Sequence, residues 1–454
     1  MPTTWVNDDN AALFTDLYEL TMLQAYFREG MDEEAVFDLF VRRMKRRNFL
    51  LACGLDTVLH YLETLRFTPE ALDYLGTLGL FGDDFLEYLA GFRFTGDVYA
   101  VREGTPVFAN EPLLEVVAPI GQAQLIETFV LNQITFQTGA ASKAVRVVRA
   151  AGDRAVVDFG MRRMHGGDAA LKAVRAYHVA GVKATSNVLG GHVFGMPVTG
   201  TMAHSYVEAH DHETDAFRAF AELYPETTLL VDTYDTLEGV RKVVRMAREM
   251  GEAFRVRAIR LDSGDLAALA REARKILDDA GLERVRIFAS SSLDEYAVAE
   301  LLAKGAPIDG FGVGTRMGTM ADQPYLDTAY KLAGYAGRPR MKLAAGKVNL
   351  PGRKQVFRCF EDGRAVRDVI ARADEDLDGT PLLECVMRGG VRTEAGRRTL
   401  ADARAQAEAG LVALPERLHA LDAAEPPYPV DLSEGLRRRI EEVRQALAAE
   451  THPA

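Results

Sequence analysis

The stretch Val256-Arg-Ala-Ile-Arg-Leu-Asp-Ser-Gly-Asp-Leu266 reads as a buried strand that turns directly into the start of a helix. Side chains alternate across a strand, so Arg260 and Asp262 are expected on the same side at its C-terminal tip. A cation beside a carboxylate suits a ligand that carries an anionic group next to hydroxyls. The guanidinium takes phosphate oxygens and the carboxylate accepts from a diol. A plainer reading makes Ser263 or Asp265 the cap of the next helix.

Outward from this stretch the same strand-then-helix unit recurs. Ala155–Phe159, Pro197–Thr201, Thr228–Val231, Val285–Ala289 and Ile308–Phe311 are each apolar, and each runs into a polar or glycine-rich cluster. Repeated units of this kind imply parallel strands joined by crossover helices. Polar residues at the C-terminal ends point to a barrel, or a doubly wound sheet, with its site on that face. Upstream, residues 8–29 read as a helix capped by Asp9 or Asn10, and Phe37–Val41 as a strand leading into Arg42, Arg43, Lys45, Arg46 and Arg47. That basic run is either a solvated face or an anion-binding loop. Residues 54–93 and 122–150 look helical, and 96–118 carry short β segments separated by turns. Beyond Tyr330 the alternation lapses into a stretch holding Lys331, Lys342, Lys347 and Lys354. Residues 395–412 and 432–450 read as amphipathic helices.

A chain of 454 residues has room for two or three domains, and 48% hydrophobic with 26% charged residues is ordinary for a globular protein. No apolar run reaches membrane-spanning length, and no signal-peptide pattern is read at the N-terminus. The net charge of −12 argues against a nucleic-acid-coating surface. Cys53, Cys359 and Cys385 fit no zinc spacing, so a reducing cytoplasm is the expected compartment.

Three further constellations carry chemistry. Gly310-Phe-Gly-Val-Gly-Thr-Arg-Met-Gly318 follows the last strand, where glycines let amides approach a phosphate and Thr315 adds a hydroxyl. Asp158-Phe-Gly-Met-Arg-Arg puts Phe159 and Arg162 at a strand end, able to stack on a flat ring and clamp a carboxylate. His204 in Gly200-Thr-Met-Ala-His-Ser is a structural or a catalytic histidine. Glu208, His210 and His212 fit a solvated helix face or an incomplete metal site.

Together, Thr15-Asp-Leu-Tyr-Glu-Leu-Thr-Met22, Asp158-Phe-Gly-Met-Arg-Arg163, Thr185-Ser-Asn-Val188, Gly200-Thr-Met-Ala-His-Ser205, Asp232-Thr-Tyr-Asp235, Arg260-Leu-Asp-Ser-Gly-Asp265 and Gly312-Val-Gly-Thr315 resemble the nicotinate phosphoribosyltransferase family over residues 10–360. The resemblance implies an α/β fold: an irregular, incomplete TIM-like barrel (121–334) beside an open α/β sandwich (31–120 with a return segment 335–400). A helical region (1–30) precedes these, and a C-terminal helical extension (400–454) follows. It also implies a reaction, nicotinate with phosphoribosyl diphosphate, ATP and water giving nicotinate mononucleotide, diphosphate, ADP and phosphate, in NAD salvage through a phosphohistidine. A nicotinamide-using relative and a non-catalytic phosphoribosyl-diphosphate sensor are the alternatives.

By this resemblance His204 is the phosphorylated residue, and Arg260 and Asp262 hold the diphosphate and ribose hydroxyls. Ser290, Gly314 and Thr315 take phosphate, while Arg42 or Arg43 and Lys331 reach the diphosphate. Tyr18 and Phe159 sandwich the pyridine ring, with Arg162 and Thr201 near its carboxylate. ATP is the expected co-substrate and Mg2+ its companion, with the metal's ligands unassigned. The expected assembly is a homodimer with shared active sites, with no nucleic-acid or membrane partner.

Overall fold

The computed structural model describes residues 4–343 and 349–451; Lys347 and the N-terminal Met-Pro-Thr lie outside them. The chain forms two compact units, Lys143–Pro324 and, from both ends of the sequence, Met1–Ser142 with Tyr325–Ala454.

The Lys143–Pro324 unit is built on a six-stranded parallel sheet. Its strands are Ala155–Asp158, Ala184–Thr185, Thr228–Leu230, Ala258–Leu261, Arg286–Ala289 and Gly310–Val313. The last four in sequence lie side by side, and Gly310–Val313 returns to pair with Ala155–Asp158, which in turn pairs with Ala184–Thr185. This is the cyclic order of a barrel left open between its second and third strands. Parallel register brings the C-terminal tips to one edge: Leu261 pairs with Ala289, Val313 with Asp158, and Leu230 with Arg260. Several of the crossover helices start on acidic caps. Asp235 accepts from the Glu238 amide (2.8 Å), and Asp265 from the Ala267 and Ala268 amides (3.1 Å each). The cap reading of Asp265 therefore holds, and it leaves Asp262 free to face elsewhere.

Pro197–Thr201, expected as a strand, is not one. Val198 makes a single parallel bridge to Thr185, with the Thr185 amide on the Pro197 carbonyl and the Thr199 amide on the Thr185 carbonyl, 3.0 Å each. Pro197 has no N–H to offer a ladder, and the Thr201 hydroxyl donates to the Thr228 carbonyl at 2.5 Å. This irregular segment thus bonds to both strands that flank the opening.

In the other unit, a seven-stranded sheet runs in the order Arg338–Pro339, Thr328–Tyr335, Glu34–Val41, Pro112–Pro119, Asp97–Val101, Leu383–Arg388, Val391–Arg392, every pairing antiparallel. Alternate residues of these strands, such as Phe37, Leu39, Val98 and Val116, join a core with Leu59, Leu62, Phe85 and Leu89 from helices Leu55–Thr64 and Asp83–Ala90. A second sheet (Thr380–Pro381, Lys354–Glu361, Arg364–Arg372, Val430–Leu432) packs Val356 and Ile370 against Leu436 and Ile440 of the helix Glu434–Thr451.

The helix expected over 8–29 starts only at Leu17, with Asp16 as its N-cap residue, after a short 3-10 turn at Ala11–Leu13. Asn10 spends its side chain backwards, accepting from the Asn7 amide (2.8 Å) and donating to the Trp5 carbonyl (2.8 Å), so it caps no helix. The helix expected over 395–412 runs from Leu400 to Ala413, opened by a Thr399–Asp402 capping box. Among the described residues no helix is long and apolar enough to cross a membrane.

Candidate active site

Within the Lys143–Pro324 unit the strand tips gather most of the residues singled out by sequence. Arg260 lies at the centre. Its side chain is largely buried, with the guanidinium 6.0 Å from the Phe159 ring centroid and Nη2 4.0 Å from Asp262 Oδ2. Burial disfavours its charge and lowers its pKa, Asp262 and Asp232 partly restoring it and Arg162 lowering it further. Arg162, on the exposed 3-10 turn Met161–Arg163, is thus close enough for the two cations to repel. Arg260 Nε is buried without a hydrogen-bond partner among the described residues, so an acceptor is lacking there.

Asp262 binds on two sides. Oδ1 accepts from the Ser290 hydroxyl, and Oδ2 is 3.7 Å from His204 Nε2. The other ring nitrogen of His204 is 3.2 Å from Thr233 Oγ1. His204 begins the short helix His204–Glu208 and keeps 39% of its side chain exposed, so the imidazole is reachable. Phe159 packs against the strand Gly310–Val313. A Cβ at Gly312 would come within 2.4 Å of its ring, and one at Gly314 within 3.2 Å of its carbonyl oxygen. Gly312 is therefore needed for this packing before any phosphate is considered, and a side chain at Gly314 would crowd the Phe159 backbone. Thr315 is exposed beside them, whereas the Thr201 hydroxyl is occupied by the Thr228 carbonyl.

Two motif residues turn out to be scaffolding. Asp158 is fully buried, Oδ1 taking the Gly160 amide and Oδ2 the Thr185 hydroxyl, both at 2.8 Å. Burial raises its pKa against these two hydrogen bonds. Asp232, which sequence reasoning left without a role, holds the central loop. Its Oδ2 accepts from the Asp262 amide (2.9 Å) and the Ser263 hydroxyl (2.6 Å), while Oδ1 is buried and unpartnered. Its place in Asp-Thr-Tyr-Asp, straight after an apolar strand, was the available signal.

Tyr18, Arg42 and Lys331 belong to the other unit. Tyr18 is exposed on helix Leu17–Glu29, its hydroxyl held well above its usual pKa by burial and then by the Glu127 and Glu19 carboxylates. Lys331 Nζ lies 3.7 Å from the same Glu127, so one carboxylate joins two residues that sequence treated separately. Arg42 pairs with Asp327 at 3.3 Å. Arg47 is buried and donates to the Gly139 carbonyl (3.1 Å), so the basic run is partly internal, with Arg43, Lys45 and Arg46 exposed. His210 packs at a tilt against the Tyr206 ring and bonds its carbonyl. Among the described residues no group of three His, Cys, Asp or Glu side chains is arranged to hold a metal.

A parallel α/β unit whose strand tips join an arginine, two carboxylates, a serine and an accessible histidine is of the class suited to an anionic, hydroxyl-bearing small molecule. Residues 13–135 match the N-terminal domain model, and residues 154–336 the family model, of nicotinate phosphoribosyltransferase. A nicotinate phosphoribosyltransferase of Mycobacterium tuberculosis is 52% identical over 443 residues, 97% of this chain and 96% of that protein. One from Bacillus subtilis is 41% identical over 82% of this chain and 78% of its own. The crystal structure of human nicotinic acid phosphoribosyltransferase superposes with a TM-score of 0.84 at 29% identity, covering 94% of this chain and 99% of that one. The chain belongs to the nicotinate phosphoribosyltransferase family.

Proposed function

We propose that this protein joins nicotinate to phosphoribosyl diphosphate in NAD salvage, and that ATP hydrolysis drives the reaction through phosphorylation of His204. The observation that carries this reading is the contact chain Arg260–Asp262–His204 at the strand tips, with Ser290 on the far side of Asp262. Arg260 would neutralise the diphosphate leaving group as the ribosyl carbon develops positive charge, and Asp262 would hold the ribose hydroxyls. Ser290, Gly314 and Thr315 would take the 5′-phosphate, with Arg42 and Lys331 reaching the diphosphate. The pyridine ring would stack on Phe159, its carboxylate near Arg162 and Thr201, and its nitrogen would form the new bond to the ribose. Supporting nicotinate over nicotinamide, the residue after Thr201 is the buried, uncharged Met202, which cannot accept from a carboxamide.

Mg2+ is expected to travel with the phosphates. The free oxygen of Asp232 and the carboxylate of Asp262 are donors of the type it takes, usually one or two beside substrate phosphates. The catalytic unit is read as an irregular TIM-like barrel with its site at the strand C-termini, and the enzyme as a cytoplasmic, ATP-dependent, ligase-class homodimer whose sites borrow Tyr18 from the partner. The deciding experiment incubates the protein with phosphoribosyl diphosphate and either base, with and without ATP, and weighs the products. Nicotinate mononucleotide with stoichiometric ADP supports the reading; product from nicotinamide alone, or none from either base, defeats it.

A further inference from the structure

The loop after strand Arg286–Ala289 is held in an unusual shape. Ser291 (φ +99°) and Ser292 (φ +39°) are consecutive non-glycine residues with left-handed backbone, a conformation that persists only where the surroundings impose it. Its two ends are anchored. The Ser290 amide donates to the Leu261 carbonyl (2.8 Å), and the fully buried Glu295 is gripped by Lys143 (2.6 Å) and Arg146 (2.9 Å). Between these anchors, Asp294 makes two separable bonds. Oδ1 caps helix Glu295–Ala303 through the Ala297 amide (2.9 Å), and Oδ2 receives Arg316 Nη1 at 2.7 Å. Arg316 sits two residues after Gly314, so this ion pair ties the serine loop to the Gly314–Thr315 turn. Burial would raise the Asp294 pKa, but the Ala297 amide and Arg316 hold it below its usual range.

We propose that the Asp294–Arg316 pair is a positioning device that sets the spacing of these two loops, so that both meet one phosphate group of the substrate. The proposal rests on the reading that Ser290, Gly314 and Thr315 take that phosphate. Nearly half of the Arg316 side chain is exposed while Asp294 is mostly buried, so the pair is partly screened by solvent and its contribution to stability is modest. Its loss should therefore be visible in substrate binding more than in melting temperature. Arg316 acts through the loops and is not assigned a contact with the ligand.

Asp294→Asn is the informative variant, because asparagine caps a helix as well as aspartate does yet removes the charge. Steady-state kinetics would compare it with Arg316→Met, the double variant and Arg316→Lys, titrating phosphoribosyl diphosphate and nicotinate separately. Each single variant is expected to raise KM for phosphoribosyl diphosphate roughly tenfold, with kcat and KM for nicotinate within about twofold. The double variant should be no worse than the poorer single one, since one interaction is removed twice, and Arg316→Lys should recover most of the loss. Additive losses, or a loss in Arg316→Met with none in Asp294→Asn, would overturn the proposal and make Arg316 a direct ligand. Unchanged KM in both single variants would also overturn it. Ser290→Ala and Thr315→Val separate the two levels. If they raise this KM while the pair variants do not, only the positioning device fails; if they too leave it unchanged, the placement of the phosphate fails.

Discussion

On the proposed reading, His204 is the residue on which the energetic coupling turns. Its ring lies between Thr233 and Asp262, 3.2 and 3.7 Å away, with the imidazole open to solvent. In the proposed reaction glycosyl transfer depends on Arg260 and Asp262, so removing the imidazole should uncouple ATP without abolishing transfer. His204→Ala is expected to lose ATP stimulation entirely while retaining ATP-independent synthesis of the mononucleotide. Rapid-quench labelling with γ-labelled ATP checks this, and label persisting on the variant would exclude His204 as the acceptor. At the same scale, sequence placed Arg260, Asp262, Ser290 and Phe159 in one neighbourhood because each lies at the end of an apolar strand and parallel strands align their tips, whereas His204 comes there on the irregular Pro197–Thr201 segment. It gave no role to Asp232, because what that carboxylate binds is a backbone amide and a hydroxyl thirty residues on, and such partners have no sequence pattern.

Among the elements, the short helix Val188–Phe194 shows how a family motif can serve architecture. In Thr185-Ser-Asn-Val, the Thr185 hydroxyl donates to Asp158 and accepts the Asn187 amide (3.0 Å), and the Asn187 side chain caps the helix at the Gly190 amide (2.9 Å). Asn187 is itself buried and donates to the Ala170 carbonyl at 3.4 Å. Asn187→Ala should therefore cost stability, about 1 kcal/mol and up to about 2, with KM values close to those of the parent. Urea denaturation beside steady-state kinetics checks this; a large rise in KM at unchanged stability would mean that the motif touches substrate instead.

For the whole molecule, buried carboxyls set the expected response to pH, Glu19 and Asp38 among them. Glu19, which receives the Thr128 amide (2.9 Å) and hydroxyl (2.7 Å), is pushed up to about 7, chiefly by burial. Asp38, beside Lys354 and Glu115, is likewise raised to about 7, chiefly by burial. Both pKa values lie above those of an unfolded chain, so the folded protein holds protons that the unfolded one has released. Their contribution to stability should then fall as pH rises from about 4.5 to 7 and level off above. Glu19→Gln cannot ionise and should show a smaller drop in Tm between pH 5 and pH 8; calorimetry at the two values checks it, and an unchanged drop would refute the assignment. The proposed shared site has its own test at this scale. Tyr18→Ala and Arg260→Ala proteins, each nearly inactive, are mixed under conditions that exchange subunits. A site completed across a two-fold axis leaves one intact pocket per heterodimer and restores up to about half of its activity. Activity remaining at the level of the parents would place Tyr18 in its own subunit's site.

The strands around Val256–Leu266, their parallel sense and the polar character of their tips were determined by the sequence alone, because apolar runs, turn residues and crossover spacing are local patterns. Only the tertiary structure decided that Pro197–Thr201 is an irregular bridge and that the first long helix begins at Leu17. Each outcome was set by hydrogen bonds that compete with local propensity: the Thr201 hydroxyl on Thr228, and the Asn10 side chain on Trp5 and Asn7. The same holds for Glu127 between Tyr18 and Lys331, and for Asp294 against Arg316. Those carboxylates lie more than a hundred and some twenty residues from their partners, and only the folded chain brings the charges within reach of one another.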